Sequence, residues 1–546
     1  MPPKIGNIYL ITAIAVIGGG LFGADIASMS AILGTNQYRC YFNQGPSGPP
    51  FNDNPDCSGP TAVVQGGINA SMPGGSFIAC IVSGYLSDHW GRKSAIQIGS
   101  VIWILGCVVT CAVQNIAMLV VGRFICGFAV GICSSQVPVY VSELAPPSRR
   151  GRIVICQQFA ITCGITIMYF VSYGSSFLTG SASFRLPWGA QALPAVLLGI
   201  GLMFTPESPR YLAHKDRWEE THEVLALVHG NGDRSSPFVQ RELHDIREFC
   251  ESERNQPPSS YLELFKPKML YRTHIGVFMQ IWSQLSGVNV MMYYITYVFG
   301  MAGLSGNVNL YSSSITYVIN MCMTLPALMW IDVWGRRWPL ILGSASMAVW
   351  MFLNAALMAG FGSPAPPGGV DHIPQQSWQI HGAASKALIA STFLFVASFA
   401  VSVGPISWIY PPEVFPLRLR GKGVAVCVAS NWIFNFALSW FVPPAFVNIK
   451  WKVYLIFGVF LIAMGIHFFF VYPETAGKTL EEVENIFATK TKAWKTRIET
   501  KKAREIESAS IRADDPEEVK DAALGYVAGR VGAEHVEMSI TETTKS

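Results

Sequence analysis

Two short stretches decide the fold: residues 88–93 read DHWGRK, and residues 332–337 read DVWGRR. Each stretch directly follows an apolar run that is long enough to cross a membrane as a helix. The first follows the second such run of the chain, and the other follows the eighth, which is the second run of the second half. A repeat in corresponding positions predicts two duplicated halves, as in membrane transporters that bind substrate near the bilayer midplane between the halves.

The chain contains twelve apolar runs of about 20 residues, the helix length that crosses about 30 Å of hydrocarbon. Among its 546 residues, 51% belong to the AVILMFWYC set and 14% are charged, whereas soluble domains are about 25% charged. We therefore expect an all-α membrane protein with twelve transmembrane helices in two six-helix halves. The runs lie near residues 7–29, 64–86, 95–113, 116–139, 152–173, 188–205, 275–300, 309–331, 338–360, 386–410, 421–442 and 451–472.

The polar segments divide the chain into four parts. We expect an N-terminal half at 1–205, a helical linker at 206–272, a C-terminal half at 273–472 and a partly disordered tail at 473–546. Because Lys and Arg are more frequent in cytoplasmic loops, their distribution puts the linker and both termini in the cytoplasm. On the linker's side lie Arg92, Lys93, Arg149, Arg150, Arg152, Arg336, Arg337, Arg418, Arg420 and Lys422, against Arg39, Arg185, Lys450 and Lys452 on the other side.

Charge and cysteine content argue against several other classes of protein. The formal charge is only +4, and no basic cluster alternates with aromatic residues, so nucleic acid is not an expected partner. Most of the 12 cysteines are scattered through apolar runs without the spacing of metal ligands, and no Walker motif is present, so we expect no metal and no cofactor. Cys40 and Cys57 share a polar segment predicted to be extracellular, where a disulfide and two free thiols are equally supported.

Further motifs make the sequence similar to a known family. They are Gly122-Arg123, residues 138–143 (PVYVSE), 206–210 (PESPR), 284–289 (QLSGVN) and 473–475 (PET). Together with the two repeated turns, they resemble the sugar porter family of the major facilitator superfamily over roughly residues 5–485. Residues 25–30 and 64–67 most resemble fungal high-affinity glucose transporters. The resemblance implies the major facilitator fold and transport of a monosaccharide rather than enzyme activity.

Amide side chains inside the spans are the candidate substrate-binding residues. Polar groups at membrane depth normally face a cavity or another helix, and amides, like sugar hydroxyls, both donate and accept hydrogen bonds. Hydrogen bonding between helices is the alternative role, and Asn435 and Tyr293 fit either role equally well. By resemblance, the sugar-binding positions of the family are occupied here by Gln158, Gln284, Asn289, Asn320, Trp408 and Asn431.

The chain departs from the family's pattern at two of these places. Ser283 stands beside Gln284 where many relatives have a second glutamine, and Ser407 precedes Trp408 where they have proline. The first change can remove a sugar contact, and the second can re-aim the tenth helix. The preferred monosaccharide is therefore left open.

Asp25 and Arg123 are the candidate proton site. They are the carboxylate and the guanidinium placed well inside a span. Because an isolated charge at that depth is costly, each is expected to have a partner, and such a pair is a candidate for proton transfer. The resemblance supports this role, since proton-coupled sugar porters carry this acid and this base. A purely structural ion pair is the alternative.

Charged residues at the inner helix ends are expected to form a conformational latch. Ion pairs across the two halves can hold one state of the transporter and separate in the other. The alternative is that these charges only anchor the helices and set topology. His274 and His467 are expected to be packed rather than to relay protons. The predicted latch comprises Asp88, Arg92, Glu143, Arg150, Glu207, Arg210, Asp332, Arg336, Arg337, Glu413 and Arg420.

These features predict proton-coupled symport of a monosaccharide into the cell by alternating access. D-glucose is the first candidate substrate and D-xylose is the second. The expected partners are the sugar, protons and the lipid bilayer, and we expect a monomer in the plasma membrane. The competing hypotheses are a facilitative hexose uniporter and a sugar sensor that does not transport.

Overall fold

The computed structural model describes residues 5–42, 59–146, 149–254, 260–366, 369–370, 373, 375–476, 483, 486–487 and 493–494. Cys57 and nearly all of the predicted tail lie outside these residues, and the side chain of Arg150 is not described. Most of the described backbone is helical. A chain inside a membrane has no water to pair with its N–H and C=O groups, and a helix pairs them internally.

The first half contains six spans. The first span is split at Val16 and the sixth at Gln191, and the short helix α3 follows the first span. Asparagine caps start two spans, since Asn7 accepts the N–H of Tyr9 and Asn115 accepts that of Met118. The helices are α1 (Ile8–Ala15), α2 (Ile17–Leu33), α3 (Asn36–Tyr41), α4 (Ala62–Trp90), α5 (Arg92–Cys111), α6 (Ile116–Leu144), α7 (Arg150–Ser175), α8 (Ala182–Ala190) and α9 (Ala192–Met203).

A small helical unit connects the two halves. Its helices bury Ala213, Leu225, Val239 and Ile246 together, in a cluster separate from the core of the spans. The unit therefore has its own apolar centre. Its elements are α10 (Pro209–His214), α11 (Trp218–His229), α12 (Pro237–Arg254) and a 3-10 helix (Tyr261–Phe265).

The second half contains the other six spans. The seventh span is split into three helices and the tenth into two, and strands β1 and β2 pair antiparallel after the ninth. The helices are α13 (Pro267–Leu285), α14 (Val288–Tyr293), α15 (Ile295–Met301), α16 (Gly306–Trp334), α17 (Arg337–Phe361), α18 (Ala383–Val401), α19 (Val403–Val414), α20 (Leu417–Asn448) and α21 (Lys452–Val471), with β1 (Gly362–Pro364) and β2 (Trp378–Ile380).

The predicted all-α fold of twelve transmembrane helices in two halves is confirmed. Within the described residues, ten helices or helix pairs are long and apolar enough to cross a membrane. The other two spans, α4 and α13 to α15, are less apolar because they carry buried amides such as Gln65, Asn69, Gln280 and Gln284.

The seventh span is broken near the middle of the molecule. α13 ends at Leu285, and Gly287 has a φ of 84°, a left-handed conformation that glycine adopts without steric cost. Transporters built from two repeats hold substrate at such breaks, where backbone groups are released from the helix. The sequence predicted one helix at 275–300, because hydropathy reports membrane depth and not helix continuity.

The two halves meet along α4 with α20 and α7 with α16. Within the first half, α4 and α6 approach closely at Gly127, which has no side chain. A Cβ at this position would collide with the backbone of Met72. We call the side of the spans that carries α10 to α12 the linker face, and the other side the opposite face. The functional site lies between these faces, where the halves meet.

Candidate functional site

A central cavity of about 50 Å³ lies between the two halves. This is far below the roughly 300–1,000 Å³ of a typical site for a small molecule, so the protein is closed around it. The six predicted substrate-binding residues all line this cavity, although each comes from a different helix: α7, α13, α14, α16, α19 and α20. They are Gln158, Gln284, Asn289, Asn320, Trp408 and Asn431.

The amides on the second half's side of the cavity form one network. Gln284 donates through Nε2 to Asn431 Oδ1 at 2.8 Å and accepts from Asn289. Asn431 donates in turn to Gln280 Oε1 at 2.5 Å, and Gln280 donates to the backbone oxygen of Ser407 at 2.7 Å. This chain of hydrogen bonds fixes the orientation of each amide before a ligand binds.

Trp408 connects the network to the first half. Its indole Nε1 donates to Gln158 Oε1 at 2.9 Å, which is a contact between α19 and α7. The other buried tryptophan nearby, Trp432, packs edge-on against Phe22 with ring centroids 4.7 Å apart and donates to Ser134 at 3.1 Å. Trp408 is therefore the tryptophan that faces the cavity.

Asn320 lines the central cavity with a buried acceptor that is not hydrogen-bonded within the described part of the chain. Its Oδ1 is buried and has no hydrogen-bond partner among the described residues, and its Nδ2 contacts only the sulfur of Met292, at 3.8 Å. A buried acceptor without a partner costs about 1–3 kcal/mol. A ligand hydroxyl that donates to Asn320 would remove this cost.

Sequence reasoning missed several residues of the cavity. Gln280 supports Asn431, and its spacing of four residues from Gln284 on α13 could have revealed it. Apolar side chains complete the wall and offer a surface for the C–H groups of a ligand. They are Phe22, Ile26, Ile161, Ile165, Val288, Met292 and Phe399.

Asp25 and Arg123 form a buried bidentate ion pair. Arg123 Nη1 donates to Asp25 Oδ1 at 3.2 Å and Nη2 donates to Oδ2 at 3.0 Å, while Nε donates to the backbone oxygen of Ile68 at 3.1 Å. The side chains are only 1% and 3% exposed. The predicted pairing is present, and it connects α2 to α6 within the first half.

The short helix α14 contacts both the cavity and the surroundings of the ion pair. Asn289 lines the cavity, and the backbone oxygen of Met292 accepts from Tyr317 at 2.7 Å. The buried hydroxyl of Tyr293 interacts electrostatically with Asp25 and Arg123 and has no hydrogen-bond partner among the described residues. Of the two ambiguous residues, Tyr293 thus lies near the ion pair, whereas Asn435 accepts from Ser439 at 3.1 Å.

Each half has the same arrangement of charges at its linker face. In the first half, Arg92 pairs with Glu143 at 3.1 Å, and Glu207 accepts the N–H of Lys93 at 3.2 Å. Burial raises the pKa of Glu207, and the N–H groups of Ser208 and Lys93 oppose that rise. Glu207 thus occupies the N-terminus of α5, where a carboxylate is stabilised by the helix dipole.

The second half repeats this arrangement with its own residues. Arg336 pairs with Glu413 at 2.8 Å and with Asp332 at 3.2 Å. Glu474 accepts the N–H groups of Arg336 and Arg337 at 2.8 and 3.2 Å, at the N-terminus of α17. These contacts correct one expectation, since among the described residues Arg92, Glu143, Arg336 and Glu413 form their ion pairs within a half, and Glu207 joins the linker to the first half. Each half carries its own acids and bases, so they pair locally.

Two of the ion pairs between described residues cross between the halves. Lys422 lies 3.1 Å from Asp88, and Arg152 lies 3.6 Å from Asp332. Tyr261 adds a hydrogen bond of 3.0 Å to the backbone oxygen of Ile81. Lys422, Arg152 and Tyr261 were absent from the predicted latch, because sequence spacing does not show which helix ends meet.

Three further predicted latch residues whose side chains are described have local partners. Arg210 pairs with Glu242 at 3.5 Å inside the linker, Arg337 donates to the backbone oxygen of Phe469 at 2.5 Å, and Arg420 donates to that of Phe415 at 3.5 Å. They tie helix ends to neighbouring segments. A role for them in a latch between the halves stays a prediction.

Reversing one charge of a cross-half pair is expected to slow uptake. Asp88→Lys places two cations together and destabilises the closed linker face, while the double variant with Lys422→Asp restores the attraction. Exposed pairs contribute about 0.2–1 kcal/mol, so the initial uptake rate should fall by up to about fivefold and recover in the double variant. Reversal of the exposed α11 pair by Glu220→Arg is the control. A double variant as slow as the single one would contradict a latch.

The remaining expectations concern histidines, cysteines and metals. His274 and His467 form a pair with Nε2 atoms 3.0 Å apart, and Trp282 donates to His467 at 2.7 Å, so both are packed among aromatic rings. Cys40 is disulfide-bonded, but Cys57 is outside the described residues, and the pairing stays a prediction. Within the described ranges, no group of three or more His, Cys, Asp or Glu could hold a metal.

Comparison with known proteins identifies the class. Residues 11–487 match the family model described as sugar (and other) transporter. The chain is 46% identical over 496 residues to a high-affinity glucose transporter of Kluyveromyces lactis, covering 90% of this chain and 87% of that one. It is 43% identical over 518 residues to an MFS glucose transporter of Aspergillus flavus, covering 93% and 95%.

Solved structures agree with this similarity. The major facilitator proton:xylose symporter XylE, bound to 6-bromo-6-deoxy-D-glucose, superposes with a TM-score of 0.72 at 28% identity, covering 88% of this chain and 99% of that one. The fold therefore defines a multi-pass membrane transporter of the major facilitator type, not an enzyme. Within that class, the chain belongs to the sugar transporter family.

Proposed function

We propose that this protein moves a monosaccharide, D-glucose first and D-xylose second, into the cell together with a proton. The position of Asp25 carries this proposal. Its ion pair with Arg123 is almost fully buried, and it lies on α2 between Phe22 and Ile26, two residues that line the central cavity. The titratable group and the sugar cavity thus share one helix.

The chemistry of the cavity supports a neutral sugar. Five amides and one indole converge on it, and none of its lining residues is charged among those described. Amides match hydroxyls in donating and accepting, while Phe22, Ile26 and Trp408 suit the C–H faces of a pyranose ring. The names of the fungal relatives specify glucose, and that of XylE specifies xylose with a bound glucose derivative.

The ion pair supports coupling to a proton. When Asp25 is ionised, its attraction to Arg123 holds α2 against α6. A proton on Asp25 neutralises the carboxylate and removes most of that attraction, while Arg123 keeps its hydrogen bond to Ile68. α2 is then free to move relative to α6, and its cavity residues move with it.

The closed state supports alternating access with the linker face in the cytoplasm. Toward the opposite face, Ser30 and Tyr317 bridge the halves at 2.8 Å, and at the linker face the bridges are the two ion pairs of Asp88 and Asp332. Opening either set exposes the cavity to one side only. The excess of Lys and Arg at the linker face is the basis for this orientation. For a glucose transporter of this type, we propose the plasma membrane as its location.

Coupling to a proton would let this protein sustain a sugar concentration gradient, which a uniporter cannot do. One charge crossing 100 mV supplies about 2.3 kcal/mol. Each tenfold gradient of a neutral sugar costs about 1.4 kcal/mol. One proton per sugar therefore sustains a roughly fiftyfold gradient from voltage alone.

Uptake of labelled glucose in a yeast strain without its own hexose transporters tests the function. At acidic pH, we expect the steady-state internal concentration to exceed the external one by at least about tenfold and to collapse when a protonophore is added. Labelled xylose should compete at higher concentration. Uptake that only equilibrates and ignores the protonophore would identify a facilitative uniporter. The absence of any uptake by protein at the cell surface would overturn transport itself and favour a sensor.

A further inference from the structure

A second cavity of about 450 Å³ lies between the halves toward the opposite face. Sites for small molecules are typically about 300–1,000 Å³, so this cavity has the size of a ligand site, whereas the central cavity is far below that size. The first half contributes residues 34–37, Arg39 and Ser176, and the second half contributes Thr296, residues 305–307, 309 and 310, Ile373 and Gln376. We call it the outer cavity.

The outer cavity contains buried polar atoms without partners. Gln376 is 2% exposed and Thr296 is 1% exposed. Neither Gln376 Oε1 nor Thr296 Oγ1 has a hydrogen-bond partner among the described residues. The amide of Gln376 packs against α15 at Gly300, where a larger residue would leave it no room. Buried polar atoms are normally satisfied, and each exception requires an explanation.

The rest of the lining resembles the central cavity in its chemistry. Asn36, Gln37 and Asn307 add amides, and Arg39 adds a guanidinium that hydrogen-bonds to Asn36. Each amide offers donors and acceptors, and a guanidinium offers five donors. The lining therefore suits a ligand with many hydroxyls. Because the outer cavity lies between the opposite face and the central cavity, the transported sugar is the ligand to consider.

Helix α16 passes through both cavities. Asn309 lines the outer cavity and Asn320 lines the central one, about 16 Å apart at 1.5 Å per residue. Between them, the hydroxyl of Tyr317 contacts Ser30 at 2.8 Å and donates to the backbone oxygen of Met292 at 2.7 Å. Thr166 of α7 also donates to the backbone oxygen of Tyr317, at 3.1 Å. Tyr317 thus closes the path between the two cavities.

We infer that the outer cavity is a second monosaccharide-binding site, which holds the sugar before the contacts of Tyr317 open. This inference rests on the proposed function. Hydroxyl groups of the sugar donate to Gln376 Oε1 and exchange hydrogen bonds with Thr296 Oγ1. Binding there raises the local sugar concentration next to the closure, so it lowers the apparent KM for uptake without changing the central site.

Two variants test the outer site by transport. Thr296→Val removes a hydroxyl while keeping the shape, and Gln376→Leu removes an amide; neither deletes a side-chain hydrogen bond within the described residues. Loss of one or two hydrogen bonds to the sugar should raise the uptake KM by about threefold to tenfold, with the maximal rate unchanged. Gln114→Leu, an exposed amide on the same face, is the matched control. Unchanged KM in both variants would overturn the inference.

Direct binding separates this inference from the proposed function. In purified protein carrying Gln284→Ala and Asn320→Ala, the central site should no longer bind labelled glucose tightly, and weak binding should persist. Adding Gln376→Leu and Thr296→Val should abolish that residual binding. If the protein with Gln284→Ala and Asn320→Ala shows no residual binding but the wild-type protein transports glucose, the outer site is overturned and the proposed function is not. Wild-type protein that neither binds nor transports glucose would overturn the proposed function as well.

Discussion

Asp25→Asn is expected to abolish accumulation of sugar against its gradient. The amide keeps the size of the side chain, but it has no charge to lose and accepts no proton at physiological pH. The steady-state ratio of internal to external sugar should fall from as much as about fiftyfold to one. Labelled glucose uptake, followed to steady state at acidic pH, measures this ratio.

The Asp25→Asn experiment has two controls, an exchange assay on the same variant and a second variant at an exposed carboxylate. Exchange of labelled for unlabelled glucose needs no net proton movement, so it should continue in the variant and show that the protein is folded. Asp245→Asn changes an exposed carboxylate of α12 and should leave accumulation intact. If Asp25→Asn still accumulates glucose under a proton gradient, the ion pair is structural and the proton enters elsewhere.

Gln284→Ala is expected to raise the KM for sugar by about tenfold to a hundredfold. This side chain bonds to both Asn431 and Asn289, so its loss removes one of the proposed sugar contacts and frees two others from their fixed orientation. Binding energies of about 1.4–3 kcal/mol correspond to that range. Concentration dependence of initial uptake provides the KM.

Asn354→Ala is the matched control for this variant. Asn354 is a fully buried amide of α17 that donates to Thr392 and accepts from Ser391, and it is not among the described residues of the central cavity. Its loss should lower the amount of folded protein without shifting KM. If Gln284→Ala transports with wild-type KM, its amide only connects helices, as the alternative interpretation of the buried amides holds.

The sequence was most informative where a motif occupies a fixed place in a helix. The twelve spans, the pairing of Asp25 with Arg123 and the six cavity residues could all be predicted, because buried polar groups among apolar residues have few possible locations. The repeated turns likewise indicated two halves. These features depend on residue type and on position within one helix.

Features that depend on which segments meet could not be predicted. The outer cavity is assembled from separate segments of both halves, and Gln376 belongs to a loop with no motif. His274 and His467 are 193 residues apart and looked like isolated side chains. The partners of Arg92 and Arg336 were also open, because several acids of equal charge lie at the same face. Three-dimensional structure was needed to choose among them.

The charges of the linker face divide into two sets with different exposure. Within a half they are shielded, since Arg336 is 3% exposed and Glu143 is 6% exposed. Between the halves, one residue of each pair is far more exposed, since Arg152 is 55% exposed against 25% for Asp332, and Asp88 is 44% exposed against 16% for Lys422. Water and salt screen the second set far more than the first.

This difference in exposure has a kinetic consequence. In the proposed alternating access, each half can move as a rigid body because its own charges stay paired, and the ionic contacts that must break during the movement are the more exposed ones. The ionic part of the activation barrier is therefore low, and fast turnover does not require either half to loosen. Raising the ionic strength on the linker side should consequently destabilise the closed linker face, as the charge reversal at Asp88 does, while each half keeps its own ion pairs.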